Sequence, residues 1–228
     1  MKIAIFSDVH GNLIALERFV QATQNYVDAY VCLGDVVNYG PWNDECLDIV
    51  RRLPNVTLLE GNHERLFLGT EDICRELPLV QDFSHHSQQF FSREDWVAGL
   101  PDHVRLGIFE CVHAIDGQSI YQDTPVKIAG NYILGHAHHQ FRINRSGSVI
   151  FNPGSVGQNR TWINMADYSI LDTKSGVMHM HSVPYDADRF LSELRLRHYP
   201  AQCIGYYAGK PRKVAGKSTT RVQIGMQS

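Results

Sequence analysis

Apolar and polar positions in the first sixty residues fall into a repeating order. A short apolar run, Met1 to Phe6, stops at Ser7-Asp8-Val9-His10-Gly11-Asn12. From there Leu13, Leu16, Phe19 and Val20 recur at helical spacing among Glu17, Arg18 and Gln21. Gly11-Asn12 can cap that helix. Asp28 to Leu33 predicts a second strand, ending at Gly34-Asp35. Asn43 to Leu53 predicts a second helix with Cys46, Leu47, Val50 and Leu53 on one face, stopped by Pro54, and Val56 to Glu60 a third strand. Strand and helix alternating with short links predict parallel βαβ units, and so an α/β chain.

The texture then changes twice. Over about 64–101, Leu66, Phe67, Ile73, Leu77, Phe90, Phe91, Trp96 and Leu100 are scattered among polar residues, with Ser92-x-x-Asp95 resembling a capping box and Gly99-Leu100-Pro101 a stop. This predicts a helical excursion. From His103 onward the pattern favours strands: Val104 to Val112, Tyr132 to Leu134, a hairpin from Phe141 to Phe151 turning at Ser146-Gly147, Tyr168 to Leu171 and Val177 to Val183. A second, largely antiparallel sheet is expected from these. Asp186 can cap a last helix with Phe190, Leu191 and Leu194 inward. Residues 210–228 hold Lys210, Arg212, Lys213, Lys217 and Arg221, no acid and hardly any apolar residue. They predict a loose tail or an arm ordered only by a partner. The organisation expected is one domain over 1–205 and a basic C-terminal tail over 206–228.

Composition narrows the class. Across 228 residues the apolar content is 43%, the charged content 20% and the formal net charge −3, ordinary values for a globular enzyme and no basis for nucleic-acid affinity outside the basic tail. The run Ile3-Ala4-Ile5-Phe6 is too short for a signal-peptide core, and no later stretch could span a bilayer, so a cytoplasmic protein is expected. The five cysteines are odd in number and form no C-x-x-C, which argues against a disulfide framework or a zinc ribbon and for small buried or half-buried side chains. Oligomeric state is not written in these features.

The chemistry lies where apolar runs end. In open α/β sheets ligands collect at the carboxyl ends of strands. Asp8-x-His10 joins a hard oxygen donor to a borderline nitrogen donor, a mixture suited to divalent metals. Gly34-Asp35, Gly61-Asn62-His63-Glu64 and Gly135-His136-Ala137-His138 each follow an apolar run and again deliver oxygen or imidazole groups.

Together with Val112-His113, these fragments resemble the calcineurin-like metallophosphoesterase superfamily in order, spacing and kind, over most of residues 1–160. Gly34 to Pro41 (GDVVNYGP) and Asn152 to Gln158 (NPGSVGQ) look like its small, single-domain prokaryotic branch. The resemblance implies a four-layer αββα sandwich of two mixed β-sheets flanked by helices. It implies that Asp8, His10 and His138 hold one metal ion, that Asn62, His113 and His136 hold another, and that Asp35 bridges them. A carboxylate can span ions about 3.5 to 4 Å apart, as an imidazole cannot. Two divalent cations against Asp8 and Asp35 would leave about two positive charges, which acidify a water and attract a phosphate. The oxygens favour Mn or Fe, and the imidazoles admit Zn or Ni; Mn is the first expectation. His63 is then not a ligand but faces the leaving oxygen, as general acid or as a donor to the transition state.

Asn12, Asn38, Tyr39 and Arg160 are the candidate substrate contacts, with Arg65 near a motif end as well. His85, His86, His103, His139, His179, His181 and His198 carry no partner motif and suit the surface or ordinary packing. In the related protein serine/threonine phosphatases the second motif runs on to an Asp that pairs with the motif histidine and an Arg that grips phosphate. Here those places hold Asn38 and Tyr39, so that dyad and that bidentate clamp are missing. The residue after His113 is Ala114 rather than the glycine often found there. The expected function is therefore a binuclear-metal hydrolase of small phosphate esters, phosphodiesters ahead of monoesters. Two alternatives are a dinucleotide polyphosphate hydrolase and, from another class, a non-catalytic protein-binding scaffold such as this fold supplies to the retromer coat. Retention of His63 favours an enzyme, since a scaffold has no use for a leaving-group histidine.

Overall fold

The computed structural model describes residues 1–125, 128–145, 147–214 and 218–223, without the side chains of 145 and 218–223. Ser146 of the expected hairpin turn, Lys217 and residues 224–228 of the expected tail lie outside the described residues. Strand β1 (Lys2–Phe6), helix α1 (Leu13–Thr23), β2 (Ala29–Cys32), α2 (Asn43–Arg52) and β3 (Val56–Leu58) follow the predicted alternation, with β1 parallel to β2 and β2 parallel to β3. Asn12 caps α1, its side chain accepting from Ala15 N at 3.1 Å. The excursion supplies α3 (Asn62–Phe67), α4 (Pro78–Ser87) and the short α5 (Glu94–Val97). Ser92 makes no capping box: its backbone and hydroxyl bond Asp44 on α2 instead, tying the excursion to that helix.

Strand expectations beyond residue 100 need correction. Val104 to Val112 is a hairpin of β4 (His103–Leu106) and β5 (Phe109–Val112), bent at Gly107, whose φ is +61°. With β6 (Asn131–Leu134), β7 (Gln140–Arg145) and β8 (Ser148–Pro153) it forms a sheet of order β4-β5-β6-β8-β7. That sheet is mixed, because β5, β6 and β8 run parallel. Strands β9 (Met165–Asp172) and β10 (Val177–Pro184) leave it and pair antiparallel onto the free side of β1, extending the first sheet to β10-β9-β1-β2-β3.

Two mixed sheets thus lie face to face. Ile3, Ile5, Val31 and Leu33 point inward from one, and Phe109, Cys111, Ile133 and Phe151 from the other, with Leu171, Met178 and Met180 completing this layer. Each such fully buried side chain contributes about 1.5 to 3 kcal/mol. Residues one place out of step, Ala4, Phe6, Tyr30 and Cys32, face the opposite way and pack under Leu16 and Phe19 of α1 and Leu47 and Val50 of α2. The helices crowd onto this outer face. The other outer face carries a smaller cluster of Leu134, Phe141, Ile143 and Ile150 closed by Ile120.

The C-terminal region also departs from expectation. Asp186 caps α6 (Ala187–Leu196), which buries Phe190, Leu191 and Leu194 as anticipated. A further helix, α7 (Ala201–Ala208), then crosses the boundary expected at 205/206 and buries Cys203 and Tyr207. Beyond it Pro211 O accepts from Ile163 N at 3.0 Å, and Asn164 exchanges two hydrogen bonds with the Lys213 backbone. Strand β11 (Ser218–Gln223) adds an edge to β10. Over these residues the tail is docked, not loose. Four of the five free cysteines are buried and Cys74 is exposed. No helix among the described residues is long and apolar enough to cross a membrane.

Candidate metal centre

Strands β1, β2, β3, β5 and β6 end on one edge of the molecule, and each is followed at once by a polar side chain aimed at the same point. Asp8, Asp35, His136 and His138 occupy left-handed backbone conformations, as do His10, Asn38 and Tyr39. Such φ values cost a non-glycine residue about 1 to 3 kcal/mol, so the surroundings must enforce them. They are enforced by hydrogen bonds between turns: Asp8 N to Gly34 O, His10 N to Asp35 O, Gly157 N to Asp8 O and Gly135 N to His113 O, each 3.0 Å. Gly61 lets the third turn approach, since a Cβ there would strike Asp35 Oδ1. Asp and His tolerate this conformation better than most residues, which is part of why they stand at these turns.

Two clusters result, Asp8, His10, Asp35 and His138 on one side and Asp35, His113 and His136 on the other. Asn62 joins the second, with Oδ1 3.0 Å from both His113 Nε2 and His136 Nδ1. The seven residues named as ligands are therefore brought together, and Asp35 stands between the two groups. Each of three imidazoles uses Nδ1 to donate to a backbone carbonyl: His10 to Val37 O at 3.0 Å, His113 to Leu33 O at 2.9 Å, His138 to Gln158 O at 3.1 Å. That fixes the tautomer and leaves the Nε2 lone pairs pointing inward.

The Nε2 atoms meet carboxylate oxygens and one another. His138 Nε2 lies 3.1 Å from Asp8 Oδ1 and 3.2 Å from His10 Nε2, and His113 Nε2 lies 3.1 Å from Asp35 Oδ2. Asp8 Oδ1 and Asp35 Oδ2 are buried with no hydrogen-bond partner. Uncompensated buried carboxylate oxygens are strongly unfavourable, so the geometry calls for positive charge at its centre. The titration of the cluster expresses the same demand. Burial opposes ionisation of Asp8 and Asp35, yet the facing imidazoles hold both below the usual carboxylate range. Burial also opposes charge on His113, but Asp35 lifts it to about 9, while burial takes His136 down to about 4. The donor set of carboxylate, amide oxygen and imidazole fits divalent cations.

His63 lies beside this centre, its Nε2 3.9 Å from Asp35 Oδ2. Asn38 decides how it is protonated. Asn38 Oδ1 accepts from Tyr39 N at 2.6 Å, so its amide nitrogen is the atom that faces His63 Nδ1 at 2.8 Å. His63 Nδ1 then accepts, and the ring proton sits on Nε2. The ring of Tyr39 packs edge-on against His10 and His63, 4.7 and 5.1 Å between centroids. Tyr39 and His63, with Arg65, Leu77 and Arg160, wall a cavity of about 350 Å³ that reaches Asn62, His136 and His138.

The other expected substrate contacts divide. Tyr39 and Arg160 line the cavity, and Asn38 sits behind His63. Asn12 does not reach it: the side chain is fully buried, capping α1 and donating to Gly157 O at 2.9 Å and Tyr185 Oη at 3.1 Å. It holds turns together, and its place as a substrate contact is withdrawn. Arg65 is committed to Glu60 and Glu71. Glu64 is the functional residue that motif reading left without a role. Its buried carboxylate accepts from the backbone N–H groups of Gly61, Asp35, Val36 and Val37 at 2.7 to 3.2 Å. It thereby pins the turn that carries Asp35 to the turn that carries Asn62. In the sequence only its place directly after Asn62-His63 marks it; its burial shows in the fold alone.

Comparison with known proteins agrees with this geometry. The calcineurin-like phosphoesterase superfamily domain matches residues 1–176. A metallophosphoesterase from Sphaerobacter thermophilus superposes with a TM-score of 0.73 at 26% identity, over 91% of this chain and 98% of that one. A hypothetical protein from Pyrococcus horikoshii OT3 shares the fold, with a TM-score of 0.80 at 16% identity over 90% and 97% of the two chains. A Methanocaldococcus jannaschii protein described as uncharacterised is 27% identical over 248 residues, covering 87% of this chain and 93% of its own.

Proposed function

The chain belongs to the calcineurin-like phosphoesterase superfamily and is a metal-dependent phosphoesterase, and from that premise we propose that it is a binuclear hydrolase of phosphodiesters. In this reading Asp8, His10 and His138 hold one divalent ion, Asn62, His113 and His136 the other, and Asp35 both. The observation that carries it is the convergence of inward-facing imidazole nitrogens on partnerless carboxylate oxygens in two adjoining clusters. Mn fits the oxygen donors first, with Fe, Zn and Ni admitted by the imidazoles. When bound, such ions supply a water acidic enough to attack near neutral pH and positive charge for the phosphoryl oxygens. Five free cysteines suit a reducing cytoplasm.

The chain's own residues supply the rest. His63 is neutral, because Asn38 occupies its Nδ1 as a donor and burial takes its pKa down to about 4. A neutral ring that gave up its Nε2 proton entirely would become an imidazolate, so His63 serves as a hydrogen-bond donor to the developing charge rather than as a general acid. Tyr39 fills the position of the phosphate-gripping arginine and presents a ring, which supports singly charged diesters over dianionic monoesters. Assay of bis(4-nitrophenyl) phosphate and 4-nitrophenyl phosphate with each divalent metal tests the reading. The diester should have the higher kcat/KM and depend on added metal. A faster monoester would reverse the preference, and absence of metal-dependent turnover on any ester would end the enzyme reading.

A further inference from the structure

Two basic side chains, Arg160 on the cavity wall and Lys210 next to it, meet at Tyr206 with no carboxylate for either. Arg160 follows the loop whose Gln158 carbonyl fixes His138, and its guanidinium donates to Tyr206 Oη at 2.7 Å. Lys210, one residue beyond the Gly209 that ends α7, donates to Asn159 O at 2.8 Å and lies 4.4 Å from the Tyr206 ring centroid. Among the described residues neither forms an ion pair. Arg65 across the same cavity is the contrast, neutralised by Glu60 at 3.5 Å and Glu71 at 3.3 Å. Burial first, and then the neighbouring Arg160, pushes Lys210 down to about 7. Arg160 is exposed and Lys210 half-buried, so the pair is open to an anion arriving from solvent.

We propose that Arg160 and Lys210, positioned by Tyr206, form an anion subsite that holds a second phosphate group of the substrate beside the one that is cleaved. The inference rests on the phosphoesterase reading and names its substrate class, a phosphate ester carrying another phosphate within reach of the first. A guanidinium presents paired N–H groups that match phosphate oxygens. The bond to Tyr206 fixes that fork before the ligand arrives, so less side-chain freedom is lost on binding. The subsite also explains why the chain continues past α6. Helix α7 and the Lys210 that follows it bring both the Tyr206 hydroxyl and a second cation to Arg160, which lines the cavity.

The experiment compares methylphosphonate with methylenediphosphonate as inhibitors of diester hydrolysis by the Mn-loaded protein at fixed free Mn, and titrates both by calorimetry. The diphosphonate should bind about tenfold more tightly. Arg160→Gln and Lys210→Gln keep an N–H for Tyr206 and for Asn159 while removing the charge, and each should lower that ratio by about fivefold or more, with Lys210→Arg restoring it. Tyr206→Phe should lower it by less, since the charge stays and only its positioning goes. Matching circular dichroism spectra show that a variant is folded. A ratio unchanged in both Gln variants, or no preference in the unaltered protein, overturns the subsite. Calorimetry needs no turnover, so a protein that cleaves no ester but keeps an Arg160-dependent ratio retains the subsite and loses the hydrolase reading.

Discussion

The inner end of the site and its mouth are built on different principles. At the inner end Asp8, His10 and Asp35 are fully buried and His113 and His138 are 3% exposed. Every one is set by a turn at a strand end, and the turns are bonded to one another through backbone. At the mouth Arg160 is exposed, Leu77 is 72% exposed, and the walls come from the excursion, the 114–121 segment and Arg160. Strand ends cannot move without breaking the sheets, so they suit chemistry that needs fixed charge. Loops and short helices can vary without touching the core, so they suit choice of substrate. Removing a group at the inner end should therefore cost more than removing one at the mouth.

The largest expected effect is that of Asp35→Asn. The carboxylate proposed to bridge is replaced by a group with one neutral oxygen, at the place where both clusters meet. We expect kcat/KM to fall by about a thousandfold or more, roughly 4 kcal/mol in transition-state terms. Elemental analysis should find less than two metal ions per chain. Two ions at full occupancy in the variant would remove Asp35 from the bridging role and break the contrast at its strongest point.

His63→Ala comes next, and it sharpens the comparison by fixing what a non-ligand does at the inner end. A lost donor to developing charge costs about 10²- to 10³-fold. Because Asn38 holds the ring neutral with its proton on Nε2, the loss should be similar for a nitrophenyl ester and for an ester with an alkyl leaving group. The ratio of the two losses in kcat/KM is the measurement. A much larger loss on the alkyl ester would show full proton transfer to the leaving oxygen, and with it a charged His63 that the Asn38 contact does not favour.

The same division governs how much the amino-acid sequence disclosed. The convergence at the inner end was legible, because Asp8, Asp35, Asn62, His113 and His136 each follow an apolar run and the turn leaves little choice of direction. Most of the α/β half was legible for the same reason. The sheet joined by β9 and β10 was not, since Met178-His179-Met180 alternates identically whichever neighbour it pairs with. Helix α7, with Gly205 inside it and no charged residue, has a weak local signal and is held by burying Cys203 and Tyr207. Strand β11 was missed because composition was weighed over pattern: Ser-Thr-Thr-Arg-Val-Gln is rich in β-branched residues, and its ladder to β10 needs only backbone. Asn12 and Glu64 look equally polar in a motif, and only the fold shows that both spend their polar atoms on turns.

Truncation after Gly209 tests the outer region as a whole. It removes the β11 edge, the Pro211 and Lys213 backbone bonds and Lys210. Net contributions of about 0.5 to 1.5 kcal/mol per hydrogen bond, reduced by the entropy regained, make a loss of about 2 kcal/mol reasonable. For a chain of this size that is a fall in Tm of about 4 to 8 °C by calorimetry. An unchanged Tm would mean that the docked segment is held too weakly to count, and would return residues 210–228 to a loose tail.

An effect no larger, and seen only as pH changes, is expected at the support beneath the mouth. Asp167 Oδ2 accepts from Asn159 Nδ2 and Oδ1 from Ser182 Oγ, both at 2.6 Å, while Asn159 Oδ1 takes the N–H groups of Thr161 and Trp162 at 2.9 Å. The loop carrying Arg160 is thus fastened to β9 through one carboxyl group. Burial raises its pKa to about 6, against the pull of those donors and of Lys213. An acid whose folded pKa lies above the unfolded value of 3.8 keeps its proton in the folded state while the unfolded chain has released it. Stability from this group is present below about pH 4 and is lost as pH rises through about 6, a swing on the order of 2 kcal/mol. Asp167→Asn cannot titrate, so the Tm of the variant should gain on that of the unaltered protein between pH 4 and pH 7 and then run parallel to it, by about 4 to 8 °C. If the unaltered protein gains instead across that window, the Asn159 and Ser182 donors outweigh burial. Asp167 would then be a stabilising anion, and the loop beneath Arg160 would be fastened by charge.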